Sequence, residues 1–369
     1  MNEATTSREG RAIRTDFSVK VATRTNLIIA GVGVLILIVA ISFPFWSGTP
    51  LTRRMVDFFI YLSLAQFWNL LLGYAGIISI GQQGFIGIGS YGLWLFADVF
   101  HLNPFIAIVP AVICGAIVAL PTAALVFKLR GGYLAIGTWV IAEVLRLIVA
   151  NIKKTGGGSG ITIQAATKLG TSVRVPGTYF WALGASIIAI GVSYFLLRSR
   201  TGLALEAIRD NDLAAESSGV NLWRTRLYVF IIAGAGCAMG GAITAIHLLR
   251  VQPAAAFSVN WTAYLMFITV IGGLGTIEGP IIGTIIYFIL REETSKYGEW
   301  YFIVLGLIAI AVVVWSPRGI YGYVVKRWNF FLFPLQRRVK FAGETVKRRQ
   351  RGPSTGIDGP STGIDGAAS

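Results

Sequence analysis

The chain has 369 residues, of which 54% are hydrophobic and 13% charged, and its formal net charge is +15 at pH 7. Soluble globular domains carry about 25% charged residues, so this composition excludes a soluble domain and indicates a polytopic helical membrane protein. The positive charge then reports topology, because Lys and Arg stay on the cytoplasmic side of a bilayer. No nucleic-acid partner is expected, since the sequence offers no basic face on a soluble fold.

Apolar segments long enough to suggest membrane helices follow one another along the chain. The third is rich in glycine and the ninth is short, so we expect eight to ten spans in an all-α transmembrane helical bundle. The segments are 26–46, 55–73, 77–97, 104–127, 132–150, 178–197, 227–249, 261–277, 279–291 and 300–315.

The basic residues predict the orientation of this bundle. With the N-terminus inside, the segments on the inner side hold more than twice as many Lys and Arg residues as the outer ones. Both termini are therefore expected in the cytoplasm. The predicted organisation is a basic N-terminal tail (1–25), a transmembrane domain (26–320), a basic aromatic segment (321–351) and a disordered tail (352–369) that repeats Gly-Pro-Ser-Thr-Gly-Ile-Asp.

One charged loop, residues 198–226, separates two apolar segments and is predicted to lie in the cytoplasm. Residues 203–218 are good helix formers, Gly219 is a natural helix stop, and Asn221 is a suitable cap for the next helix. The loop is interpreted as a docking surface for a soluble partner, with a solvated connector as the alternative. The apolar stripe of the predicted helix consists of Leu205, Ile208, Leu213 and Ala214.

Polar side chains inside the apolar segments are candidates for a solute path. Glu143 and Arg146 have the i, i+3 spacing of a helical pair, and a charge in lipid is costly unless it faces the bundle interior. The alternative is a structural ion pair near the membrane edge. Gln82 and Gln83 follow Gly81 in a glycine-rich segment, where unwound backbone is tolerated if it lines a cavity. Hydrogen bonding between helices is the alternative for these amides.

Two sets of spaced glycines predict close helix packing. Gly275, Gly279 and Gly283 are four residues apart, which on a helix gives a stripe without side chains. Gly236 and Gly240 have the same spacing on another segment. Packing within the chain and contact between subunits are both compatible with this pattern.

Other glycine-rich stretches carry weaker signals. The sequence Thr155-Gly-Gly-Gly-Ser-Gly160 lies in the longest predicted external loop and is interpreted as a flexible hinge or as a contact for an external partner. The stretches 73–92 and 272–283 are both rich in glycine, which hints at the internal repeat seen in many transporters.

Several chemistries are not supported. Gly87–Gly92 spells G-x-G-x-x-G, but it lies in an apolar segment, so helix packing is expected instead of dinucleotide binding. The sequence has no G-x-x-x-x-G-K-[ST] loop, so ATP hydrolysis by that route is excluded. His101 and His247 are far apart, and Cys114 and Cys237 lie in apolar segments, so neither a metal site nor a disulfide is expected. No catalytic constellation is recognisable.

Four ordered blocks of sequence resemble the permease subunits of branched-chain amino acid ABC transporters of the Liv type. The resemblance covers most of 55–320. Its most characteristic part, Ala204-Leu-Glu-Ala-Ile-Arg-Asp-Asn-Asp-Leu-Ala-Ala-Glu-Ser-Ser-Gly-Val220, is similar to the cytoplasmic coupling loop of that family. The first block is 69–91. The second is 129–136, which is followed by Glu143, Arg146 and 155–158. The third is the coupling loop at 204–220, and the fourth is 270–283.

The resemblance implies the partners and the mode of action. Such permeases pair with a second related permease, dock two cytoplasmic ATP-binding subunits and receive solute from an external solute-binding protein. ATP is bound by the partner subunits, so no cofactor is expected in this chain, and the location is the bacterial inner membrane. The bulky Trp139 departs from the family pattern and would reshape the solute path. By motif match, the residues that contact the ATPase are Arg209, Ala214, Ala215, Glu216 and Gly219.

Three alternatives remain open at this stage. Permeases for urea or short-chain amides share the architecture. A gradient-driven secondary transporter would need intramembrane carboxylates, for which Glu143 is the clear candidate, apart from Glu278 at a segment boundary. A membrane-embedded enzyme is the third alternative.

Overall fold

The computed structural model describes residues 17–19, 24–294, 300–316, 319–328 and 339–341. The chain divides into two compact units, residues 1–23 with 336–369 and residues 24–335. In the small unit, strands β1 and β4 pair antiparallel with Ser18 opposite Lys340. The strands are β1 (Phe17–Val19), β2 (Ile161–Thr162), β3 (Arg250–Val251) and β4 (Val339–Phe341). The disordered tail predicted at 352–369, most of the basic tail predicted at 1–25 and most of the basic aromatic segment predicted at 321–351 lie outside the described residues.

Apart from the short β2–β3 pair, the described residues of the large unit form helices and the loops between them. Each predicted apolar segment contains a helix, because long apolar stretches must satisfy their own backbone groups. Its helices are α1 (Arg24–Trp46), α2 (Thr49–Asn69), α3 (Gln82–Trp94), α4 (Pro104–Val126), α5 (Gly132–Asn151), α6 (Gln164–Lys168), α7 (Thr171–Arg198), α8 (Arg200–Asp210), α9 (Asp212–Ser217), α10 (Leu222–Leu248), α11 (Pro253–Ala256), α12 (Asn260–Gly272), α13 (Glu278–Thr294), α14 (Trp300–Trp315) and α15 (Gly319–Trp328).

Seven helical stretches in the described residues are long and apolar enough to cross a membrane, and a shorter apolar helix covers Gly31–Trp46. An all-α transmembrane bundle is therefore confirmed, whereas the predicted orientation of the termini stays a prediction. The seven stretches are Thr49–Tyr74, Pro104–Val126, Gly132–Asn151, Thr171–Arg198, Leu222–Leu248, Pro253–Gly272 and Ile303–Tyr323.

Helices α2 and α10 form the centre of the bundle. Most of each is buried, with α10 packed on α2, α3 and α4, and α2 packed on α7, α12 and α13. Small residues allow the helices to pack this closely. A Cβ on Gly236 would overlap Phe67 of α2, and a Cβ on Gly240 would overlap Leu64 of α2. The G-x-G-x-x-G stretch has the same role, since a Cβ on Gly89 would overlap the backbone of α10.

The glycine stripe predicted from Gly275, Gly279 and Gly283 needs correction. Gly275 lies in the loop before α13 with φ +73°, a conformation that glycine adopts at little cost. Only Gly279 and Gly283 are helical, and a Cβ on either would overlap backbone oxygens of Gly273 or Ile268. The two helical glycines thus pack α13 against the end of α12.

The glycine-rich loop predicted to be a hinge is held in place. Ile161 pairs with Val251 across the β2–β3 ladder, and Arg250 donates a hydrogen bond to the carbonyl oxygen of Ser159 at 2.9 Å. A Cβ on Gly160 would overlap the carbonyl oxygen of Val251. The loop therefore packs closely on the segment after α10, and flexibility is not its main property.

The amphipathic helix predicted over 203–218 is two helices. Asn211 interrupts it with extended backbone and accepts hydrogen bonds from the amides of Leu213 and Ala214, which caps α9. As predicted, Gly219 adopts φ +83° after α9, and Asn221 caps α10 through the amide of Arg224 at 2.9 Å.

Candidate functional site

Two interruptions of the membrane helices meet at one place in the bundle. The first begins where α2 continues as a π-helical turn over Leu70–Tyr74, and the helix ends before Gly76, which has φ +64°; α3 begins at Gln82. The second lies between α12 and α13, with Gly273 at φ 136°. Gly73 and Gly275 are in such close contact that a Cβ on Gly73 would overlap the amide of Gly275. The two glycine-rich stretches noted in the sequence thus form one double break.

Asn69 joins the two interruptions. Its side chain is fully buried, donates to the carbonyl oxygen of Thr276 at 2.8 Å and accepts from the amide of Gly275 at 3.0 Å. An amide side chain can make both bonds at once, because it carries a donor and an acceptor. It thereby satisfies two backbone groups that the broken helix leaves open, which matters more in a membrane than in water.

Side chains from other helices satisfy the rest of the first interruption. Trp68 donates from Nε1 to the carbonyl oxygen of Ser79 at 3.1 Å, and the amide of Ile80 donates to Oγ1 of Thr138 on α5 at 3.1 Å. Thr262 of α12 donates to the carbonyl oxygen of Ile80 at 3.2 Å. Because α2, α5 and α12 all contribute, a movement of this segment is coupled to three membrane helices.

Arg209 connects the surface helix α8 to this double break. Its Nη1 donates to the carbonyl oxygen of Gly73 at 2.7 Å, and a Cβ on Gly275 would lie 2.6 Å from the same nitrogen. The sequence analysis predicted that Arg209 is one of the residues that contact the ATPase. Arg209 is exposed, so that contact stays a prediction; its guanidinium also reaches the bundle, where it binds the carbonyl oxygen of Gly73 while Asn69 binds Gly275 and Thr276.

The remaining coupling-loop residues divide into a buried and an exposed group. Ala215 is 1% exposed and packs inward with Leu205 and Ile208, so its expected contact with a partner is not available in this conformation. Leu213, which the sequence placed in the apolar stripe with Leu205 and Ile208, is 74% exposed, and Ala214 is also exposed. Helical spacing explains the burial of Ala215 and the exposure of Leu213: Ala215 lies seven residues, about two turns, after Ile208 and shares its face, whereas Leu213 lies on another face.

Glu216 and Gly219 are exposed beside Leu213 and Ala214. We call Leu213, Ala214, Glu216 and Gly219 the α9 tip. Asp212 at the base of α9 binds Arg226 of α10, with Nη2 2.8 and 2.9 Å from its two carboxylate oxygens. This ion pair, together with Arg209, fixes both sides of the surface segment to the bundle.

The amides predicted to line a solute path are enclosed. Gln82 is fully buried and Gln83 is 1% exposed. Gln83 accepts a hydrogen bond from Thr262, and the Cys237 thiol lies 3.3 Å from the side-chain oxygen of Gln82. In this conformation both amides join α3 to neighbouring helices.

Gly81 lies in a seam between α3 and α5. A Cβ there would overlap the carbonyl group of Thr138, and the seam beside it has no room for a water molecule. The structure is therefore closed at this point.

Trp139, Glu143 and Arg146 lie on another face of α5. Trp139 is 47% exposed, and the Glu143 and Arg146 side chains are 45% and 28% exposed. Arg146 donates from Nε and Nη2 to Oε1 of Glu143, so the predicted pair is formed. These three residues do not share a cavity with Gly81, Gln82 and Gln83, because the α5 face that packs on α3 carries Thr138 and Ala142.

Comparisons with known proteins identify the family of the chain. A model of the family described as "Branched-chain amino acid transport system / permease component" matches residues 51–313. The chain belongs to this family. The match covers both glycine interruptions, the surface helices α8 and α9, and the face of α5 that carries the ion pair.

Relatives of this permease have several solutes in their names. It is 28% identical to the high-affinity branched-chain amino acid transport system permease protein LivM of Escherichia coli K12, over 78% of this chain and 73% of that protein. It is 22% identical to a probable LivM of Methanocaldococcus jannaschii (71% and 90%), and 24% identical to the ribose import permease RbsC of E. coli K12 (58% and 69%). No solved structure was found to match.

Sequence reasoning about the permease missed Asn69 and Leu213. Asn69 is the first residue of the earliest glycine block, and an amide at the end of a long apolar helix was the signal that could have identified it. Leu213 follows Asn211-Asp212, a pair that favours a helix start over a helix interior. In the described part of the chain no group of His, Cys, Asp and Glu could hold a metal ion.

Proposed function

We propose that this chain is the permease subunit of an ATP-driven importer that passes branched-chain amino acids, or related amino acids, across the bacterial inner membrane. The observation that carries the proposal is the connection from the α9 tip through Arg209 to the double break at Gly73 and Gly275. A soluble motor bound at the tip would act through this connection on two broken membrane helices. The mechanism is alternating access, with the closed seam at Gly81 as one of its states.

The orientation follows from the distribution of charge. The end of the bundle that contains Arg209 is cytoplasmic, because the loops at this end and both terminal segments carry the excess of basic residues. The end that contains His247 is then external. Both termini are cytoplasmic, and a count of eight to ten spans adds α1 and up to two of the shorter apolar helices α3 and α13 to the seven long stretches in the described residues.

Two ATP-binding subunits, one on each permease of a pair, dock at the α9 tip and bind the ATP. The tip offers exposed apolar surface at Leu213 and Ala214, an acidic group at Glu216 and a backbone turn at Gly219. Exposed Leu side chains beside a single charge are typical of a surface that a partner covers. Arg209 and Ala215 act inside the permease and not in this contact.

A second, related permease covers the face of α5 that carries Trp139, Glu143 and Arg146. An ion pair on the outer surface of a membrane helix is unfavourable against lipid, so this face borders protein or a water-filled path. The solute path then runs along this face, between the two permeases. An external solute-binding protein delivers solute to the external end.

The double break also provides a way to open the path. Ile80 is hydrogen-bonded to Thr138 on α5, so a displacement of the first interruption moves α5. The opposite face of α5 carries the ion pair. Gly81 and the amides of Gln82 and Gln83 line the route that appears when the seam opens.

The test is a pull-down of the full-length chain from its native membrane, followed by ATPase and transport assays in proteoliposomes with labelled leucine, ribose and urea. Glu216→Lys reverses the charge at the α9 tip and is expected to abolish recovery of ATP-binding subunits without affecting insertion. Glu293→Lys, an exposed acid at the end of α13 near Arg54 and Glu292, is the matched control and should retain them.

The outcomes separate the alternatives. Leucine uptake that requires ATP and Glu216 supports the proposal, while uptake of ribose or urea would retain the importer and overturn the amino acid substrate. A chain that transports in response to an ion gradient, without ATPase partners, would contradict the proposal and favour a secondary transporter. Normal ATP-driven transport by Glu216→Lys would remove Glu216 from the docking contact.

A further inference from the structure

A basic cavity lies at the opposite end of the bundle from Arg209. Its volume is about 320 Å³, and its walls come from the first turns of α2 and α7 and the last turn of α10. A water molecule occupies about 30 Å³ of liquid, so the cavity has room for a group much larger than water. Its polar wall consists of Arg53, Arg174, Thr178 and His247.

The charges around the cavity are not balanced within the described chain. Arg53 and Arg174 both line it, and in the described ranges neither forms an ion pair with a carboxylate. Asp57 is the carboxylate nearest to this wall by contact, and it lies 3.4 Å from Nε2 of His247. Two guanidinium groups that face one cavity repel each other unless an anion lies between them.

The other wall of the cavity is apolar. Val175, Ile246, Leu248 and Leu249 line it, and Leu248 is 60% exposed on the outside of the bundle. A purely polar anion would gain nothing from these side chains. A group that combines a phosphate with a glycerol and acyl stem would contact both walls.

We infer that the cavity formed by Arg53, Arg174 and His247 is a binding site for a phosphate group, carried by an anionic membrane lipid. Guanidinium forks match the geometry of phosphate oxygens and bind them through paired, charge-assisted hydrogen bonds. Arg53, Arg174 and His247 lie near the ends of α2, α7 and α10, and helices that are longer than the hydrocarbon thickness reach the headgroup region with their ends. The bound lipid would join α7 to the central helices α2 and α10. The inference does not depend on the transported solute.

The experiment measures binding to the purified full-length chain with its co-purifying partners. Native mass spectrometry counts bound lipid, and thermal unfolding in detergent is followed with added phosphatidylglycerol, phosphatidylcholine or inorganic phosphate. The test variant is Arg53→Gln with Arg174→Gln. The matched control is Lys153→Gln with Lys168→Gln, which removes two exposed positive charges near the same end but outside the cavity.

Phosphatidylglycerol should remain bound and raise the unfolding temperature of the unsubstituted chain and the control, while phosphatidylcholine should not. The dissociation constant should rise by about tenfold or more per arginine removed, as expected for a lost charge-assisted hydrogen bond. If only inorganic phosphate stabilises the unsubstituted chain, and this effect is lost in the test variant, the cavity is a phosphate site whose ligand is a free anion and not a lipid. Equal binding of both lipids to all three proteins would overturn the site. If the test variant fails to fold, the unsubstituted chain still decides: binding of neither lipid nor phosphate by that chain would overturn the site.

Discussion

Arg209 of α8 donates a hydrogen bond from Nη1 to the carbonyl oxygen of Gly73, 2.7 Å away and 136 residues earlier in the chain. The acceptor lies in an interrupted membrane helix, and the donor lies on the surface segment that carries the α9 tip. A hydrogen bond to a charged donor contributes about 1.5–3 kcal/mol, more than a neutral one. The bond therefore links the surface helix directly to the backbone of the bundle.

The first prediction concerns this contact. Arg209→Ala should lower ATP-driven transport about tenfold or more while the ATP-binding subunits still co-purify, because the motor binds but no longer acts on Gly73. Arg209→Lys should restore part of the rate, since lysine keeps one charged donor. The measurement is transport and ATPase activity in proteoliposomes. Arg200→Ala, an exposed arginine on the same helix, is the control and should transport normally. Loss of subunit binding in Arg209→Ala would place the residue in the docking contact instead.

The second prediction concerns Asn69. Asn69→Ala removes one donor and one acceptor and leaves the amide of Gly275 and the carbonyl oxygen of Thr276 without their partner. The free energy of unfolding should fall by about 1–3 kcal/mol, as measured by denaturation in detergent. Asn151→Ala is the matched control, because that exposed amide donates only to Leu147 of its own helix. Equal stability of the two variants would mean that Asn69 does not hold the double break together.

The third prediction separates two glycines that sequence cannot distinguish. Gly89→Ala should destabilise the chain by about 1–3 kcal/mol, because the new methyl group overlaps the carbonyl oxygen of Ala238 on α10. Gly191→Ala places the same methyl group in open space and should be neutral or stabilising by up to about 1 kcal/mol. Thermal unfolding in detergent measures both. A stable Gly89→Ala chain would show that α3 and α10 are not in close contact.

The fourth prediction concerns the ion pair on α5. Glu143→Gln or Arg146→Gln alone leaves a single charge on the membrane face and should reduce transport on the order of tenfold. The double variant keeps the face neutral and should recover much of the rate. The attraction within the partly exposed pair contributes little to stability, so folding should change less than transport. Uptake is measured per inserted chain. If all three variants transport at the normal rate, the pair does not border the solute path.

Sequence patterns predicted the helices well and the surface segment poorly. Each apolar segment contains a helix, because lipid leaves the backbone no alternative. In the surface segment, residues 203–218 were expected to form one helix, but Asn211 caps a second one. Asn211-Asp212 is a local signal for such a helix start, and the prediction of one helix overlooked it.

The sequence by itself determined that this is a membrane permease, and it predicted the docking loop. Its apolar periodicity, its basic residues and four ordered motifs are all local properties. The tertiary structure decided which residues act together. Arg209, Asn69, Gly73 and Gly275 converge from distant segments, and Arg53 and Arg174 meet at the opposite end from helices α2 and α7. Such contacts depend on how the helices pack, and packing results from many weak interactions between residues that are far apart in sequence.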